Sequence, residues 1–153
     1  MASSFAGAAT CPVLIVSTFL LDTNVFASLA APVPNRRLRN NVDRFAARLV
    51  TASVVAHEIW FGLARLPRSR RRERLEVLMT DLLAIVPMLP YGEEAARWHA
   101  LERARLESLG RTTSATDAQI AAVAAVNDAV MVTSNTRHFA AFDGLRIEDW
   151  SRA

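Results

Sequence analysis

From end to end the sequence alternates between short runs of β-branched and large apolar residues and longer stretches with helical apolar spacing. This constrains the fold more than any other feature, because parallel strands must be joined by crossovers long enough to hold a helix. The runs Val13–Asp22, Leu49–Ala52, Ala84–Met88, Ala129–Thr133 and Leu145–Ile147 predict strands. Between them, helices are predicted from near Val25 and over Arg36–Arg48, Val54–Leu66, Arg70–Leu82, Glu93–Leu109 and Ala115–Val126. Leu38, Val42 and Phe45 share one helical face, and Val55, Ile59, Leu63 and Leu66 share another. Pro67 stops the third helix, and Gly110 stands where a helix C′ residue belongs. The expected fold is α/β: a three-layer α/β/α arrangement around a central, mostly parallel sheet of four to five strands. With 153 residues, 52% of them hydrophobic, the chain suits one globular domain. Residues 1–12 read as a loose tail and 13–153 as the domain.

Three carboxylates sit where this pattern asks for apolar residues. Asp22 closes the first strand run, Glu58 lies inside the helix Val54–Leu66, and Asp117 opens the run that contains Ile120–Val126. An ionised acid stripped of water needs a cation or hydrogen bonds in exchange. Acids from distant segments that meet at one place commonly hold a divalent metal, which makes metal-dependent hydrolysis the first hypothesis. In parallel sheets ligands bind beyond the carboxyl ends of the strands, where strand order reverses. Asp22 and Thr133 each end a strand, Glu58 lies just past one, and Asp117 begins a helix, so the topology permits them to meet.

Each acid also has a plainer reading. Asp22 serves equally well as a helix N-cap, with Asp22-Thr23-Asn24 supplying capping oxygens. Ser114-Ala115-Thr116-Asp117 matches a capping box. Glu58 lies too far inside its helix to cap it, which leaves only a solvated flank as the alternative. His57, His99 and His138 show no metal-ligand spacing and are read as structural.

All 18 basic residues are arginine, against 15 acids, and the pI is about 10.3. Guanidinium forks match phosphate, so the balance suits a nucleic-acid partner, although an arginine-rich genome gives the same composition. Arg68, Arg70, Arg71, Arg72 and Arg74 are concentrated around one predicted turn, either as a solvated helix end or as a contact for phosphate or an acidic partner. The absence of lysine removes P-loop nucleotide hydrolysis, Schiff-base chemistry and the lysine-assisted phosphate-acceptor sites that share this architecture. A single cysteine, Cys11, rules out an intramolecular disulfide. The short apolar start, without a basic flank, argues against a signal or membrane span, so the expected location is the cytoplasm.

Read in order, Leu20-Leu21-Asp22-Thr23-Asn24, Ser53-Val54-Val55-Ala56-His57-Glu58, Asp117-Ala118-Gln119-Ile120-Ala121-Ala122 and Val132-Thr133-Ser134-Asn135-Thr136-Arg137-His138-Phe139 resemble the motifs of PIN-domain ribonucleases. The ending Gly144-Leu145-Arg146-Ile147-Glu148-Asp149-Trp150 adds a likeness to the VapC toxins of bacterial toxin-antitoxin pairs. The resemblance covers about residues 19 to 150. It implies that Asp22, Glu58 and Asp117 bind Mg²⁺ or Mn²⁺, directly or through water. It also implies that an activated water cleaves RNA and that a cognate antitoxin blocks the site. The fourth position of the family site, often aspartate, falls on Asn135, which with Thr133 is expected to orient water or phosphate. A homodimer is implied too, with Trp60, Phe61 and Trp98 as candidate interface residues. The alternative is a non-catalytic RNA-binding or scaffold module on the same fold.

Overall fold

The structure, a computed structural model, describes residues 16–152. Five strands, β1 (Phe19–Leu21), β2 (Leu49–Ala52), β3 (Met88–Leu89), β4 (Val130–Val132) and β5 (Ile147–Glu148), form a sheet in the order β3-β2-β1-β4-β5. Every pairing is parallel, with Phe19 aligned on both Leu49 and Val130. Seven helices connect and flank the strands: α1 (Thr23–Leu29), α2 (Arg36–Arg44), α3 (Ser53–Ala64), α4 (Arg70–Ile85), α5 (Glu93–Ser108), α6 (Ala115–Val126) and α7 (Thr136–Phe139). The chain steps outward from β1 through β2 to β3, then returns to the other side of β1 to lay down β4 and β5. Strand order therefore reverses between β1 and β4, and the crevice at their carboxyl ends is the natural ligand site of such a sheet.

The central strands β1 and β4 are buried at every residue, as strands covered on both faces must be. Against β4 and β2 lies α6, in which Ala118, Ile120, Ala121, Ala122, Val123 and Ala124 are all buried. The small alanines let neighbouring backbones approach closely, and Asp117 emerges one residue before this buried run. Phe26, Val55, Leu106, Met131 and Phe139 complete the centre of the core. At another edge, Phe19, Phe45 and Trp150 meet at ring-centroid distances of 4.8 to 5.3 Å, binding the chain's end to the sheet.

Several boundaries differ from the sequence expectation. Strand β1 begins at Phe19, not Val13; residues 13–15 and the expected tail lie outside the described residues. Helix α1 starts at Thr23, directly after its cap Asp22. Helix α2 ends at Arg44, and a 3-10 turn over Ala46–Arg48 completes the stretch expected to be helical. The first two residues of the predicted third strand over Ala84–Met88 are helical, because α4 runs on to Ile85. Pro87 then forbids helical continuation, its predecessor Val86 is extended, and pairing is confined to Met88–Leu89. The last strand lies at Ile147–Glu148 rather than Leu145–Ile147, and α7 had no counterpart in the reading of the sequence. Helix α5 ends as expected: Gly110 has φ +70°, and the amides of Gly110 and Arg111 bond to Glu107 and Leu106 at 3.0 and 2.9 Å.

Candidate active site

Asp22 stands at the carboxyl end of β1, beside the reversal point, and is only 5% exposed. Its backbone amide continues the sheet ladder by donating to the Val132 carbonyl at 3.0 Å. Its Oδ1 accepts the Thr23 amide at 2.8 Å, so the N-cap role and the site role belong to one residue. The other oxygen, Oδ2, accepts from Thr133 Oγ1 at 2.8 Å and from Asn24 Nδ2 at 3.0 Å.

Thr133, fully buried at the end of β4, uses every hydrogen-bonding position of its hydroxyl. It donates to Asp22 and accepts from Asn24 Nδ2 at 2.9 Å and the Asn135 amide at 3.0 Å. Asn24 Oδ1 in turn accepts the Ser134 amide at 3.1 Å. The β1 and β4 ends are thus stitched together through three side chains. Asn135 joins this network through its backbone amide, and its exposed side chain is left toward solvent.

The remaining acids approach from helices. Glu58 Oε2 accepts from Thr23 Oγ1 at 2.6 Å, which ties α3 to the first turn of α1. Asp117 has its amide capped by Ser114 Oγ at 3.4 Å, while its carboxylate Oδ2 meets His138 Nδ1 of α7 at 3.4 Å. Sequence reasoning took His138 as structural; the structure places it beside an acid of the site. Asn24 and Thr23 were read only as caps. Their signal was present in the D-T-N run, but nothing local reveals that their partners lie on α3 and after β4.

The three acids feel one another electrostatically. Burial pushes the Asp22 carboxyl above its ordinary range against the pull of its hydrogen bonds, and the charges of Asp117 and Glu58 add to the rise. Burial likewise raises Asp117; His138 opposes the rise and Glu58 adds to it. Yet among the described residues no three His, Cys, Asp or Glu side chains are gathered closely enough to hold one ion. The expected convergence is therefore to one end of the sheet and not into a closed cage. Like charges repel, and each acid takes its own donor instead: Thr133 and Asn24 for Asp22, Thr23 for Glu58, His138 for Asp117.

The arginines divide. Arg72 is committed to the fold: Nε meets Glu76 Oε1 at 2.7 Å, and Nη1 donates to the Leu66 carbonyl at 3.0 Å, closing the end of α3. Arg68, Arg70, Arg71 and Arg74 are exposed. Trp60 and Phe61 are exposed on α3, whereas Trp98 is half-buried against Phe142, with ring centroids 6.1 Å apart. Among the described residues no helix is long and apolar enough to cross a membrane.

An all-parallel sheet whose switch point gathers acids from β1, α3 and α6 defines a recognisable class, and the chain belongs to the PIN domain family, whose pattern matches residues 19–145. Its relatives in that family are of the VapC kind. It is 31% identical over 134 residues to the tRNA(fMet)-specific endonuclease VapC of Shigella flexneri, an alignment covering 87% of this chain and 98% of that one. It is 31% identical over 136 residues to the toxin FitB of Neisseria gonorrhoeae, covering 86% and 97%. Among solved structures, the DNA-bound VapBC of Salmonella typhimurium superposes with a TM-score of 0.80 at 28% identity, covering 88% of this chain and 99% of that one. FitAcB from Neisseria gonorrhoeae gives 0.80 at 26%, covering 89% and 100%.

Proposed function

We propose that this chain is a metal-dependent endoribonuclease and the toxin of a toxin-antitoxin pair. The observation that carries the reading is the placement of Asp22, Glu58 and Asp117 at the switch point, mutually repelling and two of them reluctant to ionise. That donor set is all hard oxygen, which suits Mg²⁺ or Mn²⁺ bound partly through water. Such an ion supplies charge neutralisation at the scissile phosphate and a lowered pKa for an attacking water.

The chain's own residues do the rest. Thr133, Asn24 and the Thr23 amide hold the Asp22 carboxylate in one orientation, so it needs little rearrangement to act. Thr23 fixes Glu58 at the rim, and His138 steadies Asp117. Asn135, exposed beside this network, is placed to orient water or a phosphate oxygen. The exposed Arg68, Arg70, Arg71 and Arg74 draw RNA phosphate or an acidic antitoxin segment. The relatives named above include a ribonuclease and a toxin, and the superposing structures are toxin-antitoxin complexes. By that likeness a cognate antitoxin covers this site, and the exposed Trp60 and Phe61 belong to a surface shared with a second copy or with the antitoxin.

The test is cleavage of RNA by the purified chain in Mg²⁺, in Mn²⁺ and in chelator, alongside Asp22→Asn and Asp117→Asn. Cleavage requiring the ion and both acids is expected. Equal cleavage in chelator, or full activity of Asp117→Asn, overturns the reading; RNA binding without any cleavage favours a non-catalytic module instead.

A further inference from the structure

A cavity of about 190 Å³ opens between α5 and the start of α6, lined by His99, Arg103, Glu107, Arg111, Thr112 and Thr113. It exists because α5 ends on Gly110 in the left-handed region, which turns the chain back so that Arg111 joins the same wall as Arg103. Two guanidiniums face one carboxylate there. The Arg103–Glu107 pair, at 2.9 Å, is largely exposed on both sides and so holds its partners weakly. Arg111 has no ion-pair partner among the described residues. Burial first, and the Arg103 charge second, hold the His99 imidazole below its ordinary pKa. Thr112 and Thr113 add hydroxyl donors.

The cavity shares the site's end of the sheet. Tyr91, which follows β3, bonds His99 Nδ1 at 2.9 Å, and Ala115 of α6 forms part of the wall. Two residues after Ala115 comes Asp117. On an α-helix that separation is about 3 Å along the axis and roughly 200° around it. The cavity and the acid site therefore flank the first turn of α6 from opposite sides, about one helix width apart.

We propose that this cavity is a phosphate subsite for the RNA strand, in which Arg111 and Arg103 hold a backbone phosphate other than the scissile one. The proposal rests on the endoribonuclease reading. It gives that reading a second anchoring point, with a bidentate guanidinium on phosphate and threonine hydroxyls around it. A strand held at both points is placed in register with the acids before any bond is broken.

The experiment measures affinity for a single-stranded oligoribonucleotide as a function of salt, with every arm in an Asp117→Asn background to stop turnover. Arg111→Gln and the double variant Arg103→Gln with Arg111→Gln are compared with Arg70→Gln on α4. One lost phosphate contact flattens the log–log salt slope by about 0.7 on a single strand. The double variant is expected to show that flattening, and the two arginine sites are told apart at His99: its ring resonances should move on adding RNA to the parent and to Arg70→Gln, and stay fixed in the double variant. An unchanged slope with His99 unmoved in the parent overturns the subsite while leaving the ribonuclease reading intact. Failure of the native chain to cleave RNA in Mg²⁺ is a separate result, and it overturns the ribonuclease reading itself.

Discussion

Thr133 Oγ1 donates to Asp22 Oδ2 at 2.8 Å across 111 residues of sequence, and the same oxygen accepts from Asn24 and from the Asn135 amide. One buried hydroxyl thus fixes an acid, an amide side chain and the entry to α7.

Thr133→Val should therefore remove more than a methyl-for-hydroxyl exchange suggests. It leaves the buried Asp22 carboxylate short of a donor and the half-buried Asn24 amide and the Asn135 N–H short of an acceptor, about 1–3 kcal/mol in all because water reaches part of the network. Chemical denaturation should show a loss in that range, with cleavage reduced at least tenfold. Thr133→Ser, which keeps the oxygen, should recover most of both. A Val variant as stable and as active as the parent would mean that the network is dispensable.

The raised carboxyl values of Asp22 and Asp117 predict a particular pH dependence for the metal-free protein. A carboxyl whose folded pKa is raised contributes stability below its unfolded value, near 3.9, and loses that contribution as pH rises through the folded value. Asp117→Asn should remove part of this loss, so the metal-free variant should melt higher than the parent at neutral pH. Mg²⁺ should reverse the order by stabilising the parent, by about 2.7 kcal/mol at a hundredfold excess over Kd. Melting curves at several pH values, with and without Mg²⁺, check both halves.

The fold was legible where burial was two-sided and periodicity strong. The strand Leu49–Ala52 and the helix Ala115–Val126 lie where the pattern placed them. It was least legible where apolar residues face water: Ile85 is 76% exposed at the end of α4, yet it reads as strand. Asp22, Glu58 and Asp117 were visible as acids out of place in apolar runs. The side chains that hold them were not, because Asn24, Thr23 and His138 act through partners far away in sequence. Arg72 shows the converse. Its neighbours look identical in sequence, but only the folded hairpin shows it spent on Glu76 and Leu66.

Asn135 and Asp117 should separate cleanly on substitution. Asn135 enters the network through its backbone, which Asn135→Ala preserves, so only a neutral side-chain hydrogen bond of about 1 kcal/mol is lost. That corresponds to roughly a fivefold slower cleavage. Asp117→Ala removes a charge and should abolish it. Asn135→Asp should tighten Mg²⁺ binding in a calorimetric titration. If Asn135→Ala proves as inactive as Asp117→Ala, its side chain has an essential role.

A buried clamp away from the acids should also show in pH. Glu102, on α5, bonds Arg105 Nε at 2.9 Å and accepts the Asp143 amide at 2.7 Å, while Arg105 reaches the Ala141 carbonyl at 2.8 Å. The Arg105 hydrogen bonds hold the Glu102 carboxyl below its ordinary range. Its stabilisation is present above the unfolded value, near 4.3, and is lost as pH falls through the folded one. Arg105→Ala should lower the melting temperature at pH 7 more than Arg103→Ala does, and should flatten the acid limb of the stability curve. Matching acid limbs in the two variants would show the clamp to be idle.

The side chains of Asp22, Thr23 and Asn24, three consecutive residues, reach Thr133, Glu58 and the Ser134 amide in turn. The earliest-made part of the site therefore depends on nearly the last-made. During synthesis the N-terminal portion emerges first, and α1 with α3 has no counterpart for Asp22 until β4 has cleared the ribosome. A nascent chain halted just before residue 133 carries all three acids but lacks the hydroxyl that orients the first. For a ribonuclease made beside ribosomes, the 111 residues of sequence between Asp22 and Thr133 work as a delay: the first acid stays unoriented until the machinery making the chain has almost finished.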